Sequence, residues 1–287
     1  MGSIHTTLYF DEATNTATWL LVNSASNECV IIDPVLDFDA ASGTVTTSSA
    51  DVLIETIRKQ DLSLSYVLET HVHADHMTGA AYLKERLGAE IVIGAGVLEV
   101  QKTFAPIFGL SDLALDGSSF DRLVRDGDTL PFGDETITVM ATPGHTPACV
   151  CYLVGDAVFV GDTLFMPDSG SARADFPGGD AGELYDSIQK ILALPDATRM
   201  HLCHDYKGGG REEFCCETSI LEQRKNNTHV GGGTSRDDYI ATREARDQNL
   251  KFPALLLPAI QVNLDAGCLP APDSDGRRYL KIPLDAF

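Results

Sequence analysis

The sequence predicts an α+β fold in which two β-sheets pack face to face with helices outside, a four-layer αββα sandwich. Two observations predict it. Short β-branched and aromatic runs fill the first third and recur from Asp121 to Phe165, which gives two groups of strands. Each group is interleaved with or followed by stretches whose apolar residues form one stripe at helical spacing. Strands and helices in that order, twice over, are expected to bury one face of each sheet against the other and to cover the remaining faces with helices. Periodicity alone leaves other α/β layouts open.

The elements follow in order. Thr6-Thr7-Leu8-Tyr9-Phe10, Ala17 to Val22 and Glu28 to Asp33 read as strands, separated by turns at Asn15 and Asn23 to Asn27. A helix follows, with Ser48 or Ser49 as its cap and Val52, Leu53 and Ile57 as its stripe. Ser63 to Leu68 is a strand, and a helix through Ala80-Ala81-Tyr82-Leu83 stops at Gly88. Glu90 to Ile93 is another buried strand. Asp126-Gly127 and Phe132-Gly133-Asp134 are turns, and Thr136 to Met140 alternates as a strand does. Cys149 to Val154 and Ala157 to Val160 form a hairpin about Gly155-Asp156. Gly182 to Leu192 is helical, and Arg199 to Cys203 is a strand ending at His204. Gly208–Gly210 and Gly231–Gly233 read as flexible joints. Arg211 to Lys225 and Ser235 to Leu250 read as charged helices, and the prolines from Pro253 onward make the rest irregular. The division expected is a core over 1–210 and an extension over 211–287 packed on it.

At 287 residues the chain is long enough for one large domain or two small ones. Its net charge of −21 repels nucleic acid and anionic lipid, so neither is expected as a partner. No apolar run approaches the roughly 20 residues that span a membrane. Met1-Gly2-Ser3-Ile4-His5 lacks the basic and apolar regions of a secretory signal, and a cytoplasmic location is expected. Seven cysteines, an odd number without a C-x-x-C pair, fit reduced thiols better than disulfides or a thiolate zinc site.

The chemistry is concentrated at strand ends. His71-Val72-His73-Ala74-Asp75-His76 follows the apolar run Tyr66-Val67-Leu68, and puts four metal-capable side chains within six positions. His145, Asp162 and His204 each follow another strand and a turn. Strand ends of α/β folds share one edge, so these points can meet and hold a transition metal. Asp33, before Pro34, ends a strand near the same edge and can serve either that site or its own turn. Trp19 reads as core and Cys203 as an inert buried thiol. His5, His201 and His229 have no spacing that ties them to the site.

Thr70 to His76, Thr142-Pro143-Gly144-His145-Thr146, Gly161-Asp162-Thr163-Leu164 and His204-Asp205-Tyr206 resemble, in order, the signature of the metallo-β-lactamase superfamily. The resemblance covers residues 4 to about 206 and implies that superfamily's αββα fold. Within it, His71 to Gly79, Ser171-Ala172-Arg173-Ala174-Asp175-Phe176 and His204-Asp205-Tyr206-Lys207-Gly208 resemble the persulfide dioxygenase branch, close to glyoxalase II. Ala172 stands where that branch usually has Gly, and Ser171 where Cys often stands. The resemblance implies one Fe(II) per chain on His71, His145 and Asp162, with His73, Asp75, His76 and His204 surrounding and tuning it. Two imidazoles and one carboxylate on one face leave open positions, as non-haem oxygenases require. The implied reaction oxidises the terminal sulfur of glutathione persulfide with O₂ and water to sulfite and glutathione. In the alternative, the same seven residues hold two zinc or mixed metal ions and the chain is a glyoxalase II-type thioesterase. Arg173 and Tyr206 are the first candidates to bind substrate; Arg243, Arg246, Arg278 and Lys281 come after them. A homodimer is compatible with the resemblance.

Overall fold

Neighbouring residues in the buried strands serve different layers. Leu20 and Ile31 pack outward against helices, while Leu21, Val30 and Ile32 pack inward against a second sheet. The two-residue repeat of a strand produces this division. The computed structural model describes residues 4–286. Met1, Gly2 and Ser3, read above for a secretory signal, lie outside the described residues.

The first half runs β1 (Ile4–Asp11), β2 (Thr16–Asn23), β3 (Glu28–Ile32), β4 (Val35–Asp39), β5 (Thr44–Thr46), α1 (Ser48–Lys59), β6 (Ser63–Leu68), β7 (Met77–Thr78), α2 (Ala80–Leu87), β8 (Glu90–Gly94), α3 (Val97–Phe108) and β9 (Arg122–Val124). Then come β10 (Thr129–Phe132), β11 (Glu135–Ala141), β12 (Val150–Val154), β13 (Ala157–Phe159), α4 (Ala181–Leu192), β14 (Arg199–His201), β15 (Glu217–Ser219), α5 (Ile220–Asn226), α6 (Arg236–Asp247) and α7 (Leu256–Asn263). One sheet has the order β1-β2-β3-β6-β8-β9 and the other β10-β11-β12-β13-β14-β15; a small third sheet is β5-β4-β7.

Between the two large sheets lie Leu21, Ile32, Leu68 and Val92 from one side and Phe132, Ile137, Val139 and Phe159 from the other. Outside the first sheet, Val67 and Ile91 meet Leu53 and Ile57 of α1, Leu83 of α2, Phe104 of α3 and Ile260 of α7. Outside the second, Val158 and Met200 meet Leu184 and Ile188 of α4, Ile220 of α5 and Tyr239 of α6. The layers are helix, sheet, sheet, helix, as predicted. Each fully buried Ile or Leu in these layers contributes about 1.5–3 kcal/mol by leaving water.

The structure corrects four local expectations. Neither Ser48 nor Ser49 caps α1: Thr47 holds that position without a side-chain cap bond, and Ser49 donates both its N–H and its hydroxyl to Asp37. Residues 211–219 are not helical, because tertiary pairing takes them: the Cys215 N–H donates to Asp205, and β15 pairs antiparallel with β14. The segment after Pro253 is not wholly irregular, since α7 forms there; Pro258 falls in its first turn, where a backbone N–H has no partner within the helix. Gly208–Gly210 and Gly231–Gly233 take up single 3₁₀ turns. Other readings hold. Gly88 ends α2 with a left-handed φ of 81°, and Trp19 is buried and donates its indole N–H to the Leu202 carbonyl. All seven cysteines are free thiols. No described helix is long and apolar enough to cross a membrane.

Candidate metal centre

Five strands end at the same edge of the sandwich. β3 delivers Asp33, β6 the segment Glu69–His76, β11 the loop with His145, β13 Asp162, and β14 His204. The sheets touch there through an isolated bridge between Thr16 and His204. Gly161 permits the close approach: its φ is +54°, and a Cβ at that position would lie 2.6 Å from Thr70 Oγ1. Asp162 is thereby brought against the His71 segment.

The protein fixes one nitrogen of each histidine and leaves the other bare. Thr70 Oγ1 donates its single proton to Asp33 Oδ2 at 2.8 Å, so it can only accept from His71 Nδ1, 3.0 Å away. His145 Nδ1 donates to the Arg173 carbonyl at 2.7 Å, and His204 Nδ1 to the Asn15 carbonyl at 3.0 Å. His73 Nε2 donates to Asp33 Oδ1 at 3.0 Å, with Glu69 Oε2 at 3.3 Å. His76 Nδ1 lies 3.4 Å from Asp75 Oδ1. The remaining atoms are the ones a metal ion can claim, His73 giving up a proton as the ion binds. Of these, His73 Nδ1, His76 Nε2 and His204 Nε2 are buried without a hydrogen-bond partner, as is Asp162 Oδ1. Orphaned buried nitrogens converging on a carboxylate call for a cation.

Two groups result. His71 Nε2 and His145 Nε2 each lie 3.7 Å from Asp162 Oδ2. His73, Asp75, His76 and His204 form the second, with His204 Nε2 3.0 Å from Asp75 Oδ2 and 3.3 Å from Asp162 Oδ1. Metal–ligand bonds of about 2.0–2.2 Å put ligand atoms at such separations. Burial, then the rings of His73 and His145, hold His71 well below the usual imidazole range, so it is neutral, the form that ligates. Burial also opposes charge on His73, but the Asp33 carboxylate, then Glu69, outweigh it and hold that ring well above the usual range. Asp33 thus serves the site as well as its turn. Cys203 is driven well up by burial and stays a thiol.

The metal-capable edge opens into a cavity of about 760 Å³. His71, Asp75, His145, Asp162, Arg173, Tyr206, Arg243 and Arg246 line it. Arg278 and Lys281 do not: their cations bond the carbonyls of Pro270 and Gly109, so the structure does not bring these two candidates to the site. Arg173 is engaged by Asp175 and the Lys251 carbonyl, with its guanidinium over Phe176 and Phe252. Arg243 is buried against Asp247 and donates to the Ser171 carbonyl. Arg246 and Lys251 line the cavity and pair with no carboxylate among the described residues. The Tyr206 ring stacks on His204 at 5.7 Å.

Sequence reasoning missed Glu69, His229, Lys251 and Asn263. Asn263, on α7, donates from Nδ2 to the carbonyls of His73 and His76, both at 2.8 Å, and accepts from the Thr78 N–H at 2.9 Å. Glu69, adjacent to the metal motif, offered a signal. The other three lie far along the chain with no diagnostic spacing.

Known proteins resemble this chain over most of its length. A probable metallo-hydrolase of Burkholderia pseudomallei (strain 1710b) is 51% identical, covering 97% of this chain and 98% of the relative. Glyoxylase B2 of Dictyostelium discoideum is 44% identical over 94% of this chain and 93% of its own length. The mitochondrial persulfide dioxygenase ETHE1 of Homo sapiens is 34% identical over 69% of this chain and 67% of its own. The chain spans 64% of the length of a beta-lactamase hydrolase-like protein of Xylella fastidiosa (strain Temecula1 / ATCC 700964), at 47% identity over 97% of this chain. The crystal structure of ETHE1 from Myxococcus xanthus superposes with a TM-score of 0.74 at 34% identity, covering 92% of this chain and all of that one. The model of the metallo-beta-lactamase superfamily matches residues 12–204, from the turn after β1 to His204 itself. That stretch contains all seven potential ligands, and the chain belongs to the metallo-beta-lactamase superfamily.

Proposed function

We propose that this protein is an iron-dependent persulfide dioxygenase that oxidises glutathione persulfide with O₂ and water to sulfite and glutathione. The observation that carries the reading is the open face formed by His71, His145 and Asp162, two imidazole nitrogens each 3.7 Å from one carboxylate oxygen. Such a set holds Fe(II) and leaves adjacent positions free. Iron bound there supplies the redox chemistry between O₂ and sulfur. The protein supplies orientation: Thr70 and the Arg173 carbonyl fix the tautomers of His71 and His145. Phe165, Phe176 and Tyr206 line the cavity and give it an aromatic wall beside the metal-capable edge. Arg246 and Lys251, without carboxylate partners, are the cations most available to the carboxylates of glutathione. Arg173 and Arg243 are held by Asp175 and Asp247 and shape the wall. Similarity to the human persulfide dioxygenase and to the Myxococcus structure supports the same reading.

A second reading, a binuclear hydrolase of a glutathione thioester, is favoured by the orphaned nitrogens of His73, His76 and His204 around Asp75. The relatives called metallo-hydrolase and glyoxylase B2 point the same way. An oxygen electrode separates the two. Purified protein given glutathione persulfide is expected to consume O₂ and release sulfite, and His145→Ala to abolish both. Thioester hydrolysis in the absence of O₂ uptake would favour the hydrolase.

A further inference from the structure

His229 belongs to no metal-capable group among the described residues and to no motif, yet it lines the cavity and is only 7% exposed. Its ring has a constructed seat. Gly170 lies against it so closely that a Cβ there would fall 2.2 Å from His229 Nδ1. Asn227 Oδ1 accepts the His229 backbone N–H at 2.8 Å, while Asn227 Nδ2 donates to the Gly170 carbonyl at 3.1 Å. His229 Nδ1 accepts from the Ser171 N–H at 2.9 Å, and Ser171 Oγ stands 3.1 Å from it with Tyr239 Oη 2.8 Å beyond. An Nδ1 that accepts carries no proton, so the neutral ring bears its proton on Nε2. Burial, then Arg243 and Arg246, push the ring down to about 4, which keeps it in that neutral form at pH 7. The Nε2–H is buried and has no partner among the described residues. A donor so carefully oriented and left unsatisfied needs an acceptor from outside the chain.

We propose that His229 Nε2–H and the guanidinium of Arg246 form an anion subsite in the cavity wall that takes a carboxylate of the substrate. Both residues line the same cavity, the positive charge of Arg246 acts on the His229 ring, and Arg246 pairs with no carboxylate among the described residues. The neutral imidazole gives a directed hydrogen bond and the guanidinium gives charge, a combination that distinguishes a carboxylate from an amide or ester. Ser171, His229 and Tyr239 form one hydrogen-bonded row, which ties the subsite to the segment that leads to the Arg173 carbonyl. The assignment rests on glutathione being the carrier of the sulfur.

Titration calorimetry of the holo protein with glutathione, which is not turned over, tests it. His229→Leu is expected to weaken glutathione about tenfold, the usual loss for a hydrogen bond to a charged group. His229→Gln, whose amide nitrogen reaches the Nε2 position, is expected to keep most of the affinity. Glutathione diethyl ester is expected to bind the parent weakly and His229→Leu equally weakly. In turnover the same variant is expected to raise KM and leave kcat nearly unchanged. Parent-like glutathione affinity in a folded His229→Leu overturns the proposal. Should that variant fail to fold, Arg246→Gln, at an exposed position, decides: at least a fivefold loss supports the subsite and an unchanged affinity overturns it. If the parent binds no glutathione, the glutathione reading falls and takes this subsite with it. If the parent binds and both variants match it, only the subsite falls.

Discussion

Asp33 Oδ1 lies 3.0 Å from His73 Nε2, although 40 positions separate them. The same carboxylate takes the Thr70 N–H and hydroxyl, so one buried acid fixes the tautomers of both His71 and His73. Asp33→Asn keeps the shape but cannot accept all three donors. It is expected to lower metal affinity about 10–100-fold, the usual cost of losing a group that orients ligands. Competition with a chromophoric chelator measures it, and unchanged affinity would show that Asp33 serves only its turn.

Asn263 ties α7 to the metal segment by three hydrogen bonds. Asn263→Leu leaves the buried carbonyls of His73 and His76 without that donor. The expected loss is about 1–3 kcal/mol of stability per orphaned group, together with weaker metal binding. Urea unfolding with and without added metal reads both. A variant as stable and as metal-replete as the parent would remove α7 from the account of the site.

Arg243 and Asp247 form a buried pair that clasps the 171–174 segment. Arg243 Nη1 donates to the Ser171 carbonyl, and Asp247 Oδ2 accepts the Ala174 N–H. Arg243→Met strands a buried carboxylate and is expected to cost about 3–5 kcal/mol. The double change Arg243→Met with Asp247→Leu is expected to cost less than the single one. Equal or greater loss in the double variant, by chemical denaturation, would mean that the stranded carboxylate is not what costs the single variant its stability.

His201 carries a pH dependence. It is stacked on Phe159 at 4.6 Å, and burial, then Arg199, depress it to about 4. An unfolded histidine titrates near 6.5, so between about 6.5 and 4 the unfolded chain holds the extra proton and stability falls as pH falls. At pH 5 the effect is about 2 kcal/mol. His201→Phe removes the titrating group and is expected to lose correspondingly less stability between pH 7 and pH 5 than the parent. Parallel thermal-melt profiles for the two proteins over that range would refute this.

What the sequence discloses is local, and what it hides is tertiary. His71 to His76, His145, Asp162 and His204 stand out because each follows an apolar strand, and such ends share an edge. The two sheets are legible from continuous apolar runs such as Glu28–Ile32 and alternating ones such as Glu135–Ala141. α7 is hidden because Pro258 looks like a breaker, although the first turn of a helix tolerates it. Residues 211–219 are charged enough to suggest a helix, but pairing with β14 and the Asp205 carboxylate takes them elsewhere. Asn263 reaches the carbonyl of His73 across 190 positions, and no pattern along a single chain encodes that contact. Arg278 looked as eligible as Arg246; only the fold puts one on the cavity wall and the other away from it.

Metal analysis of the protein as isolated, under anaerobic handling, tests the central claim most directly. About one iron per chain, lost in His71→Ala and in Asp162→Ala, is the result expected of a face with two imidazoles and one carboxylate. Two zinc ions per chain, filling both ligand groups, would contradict it.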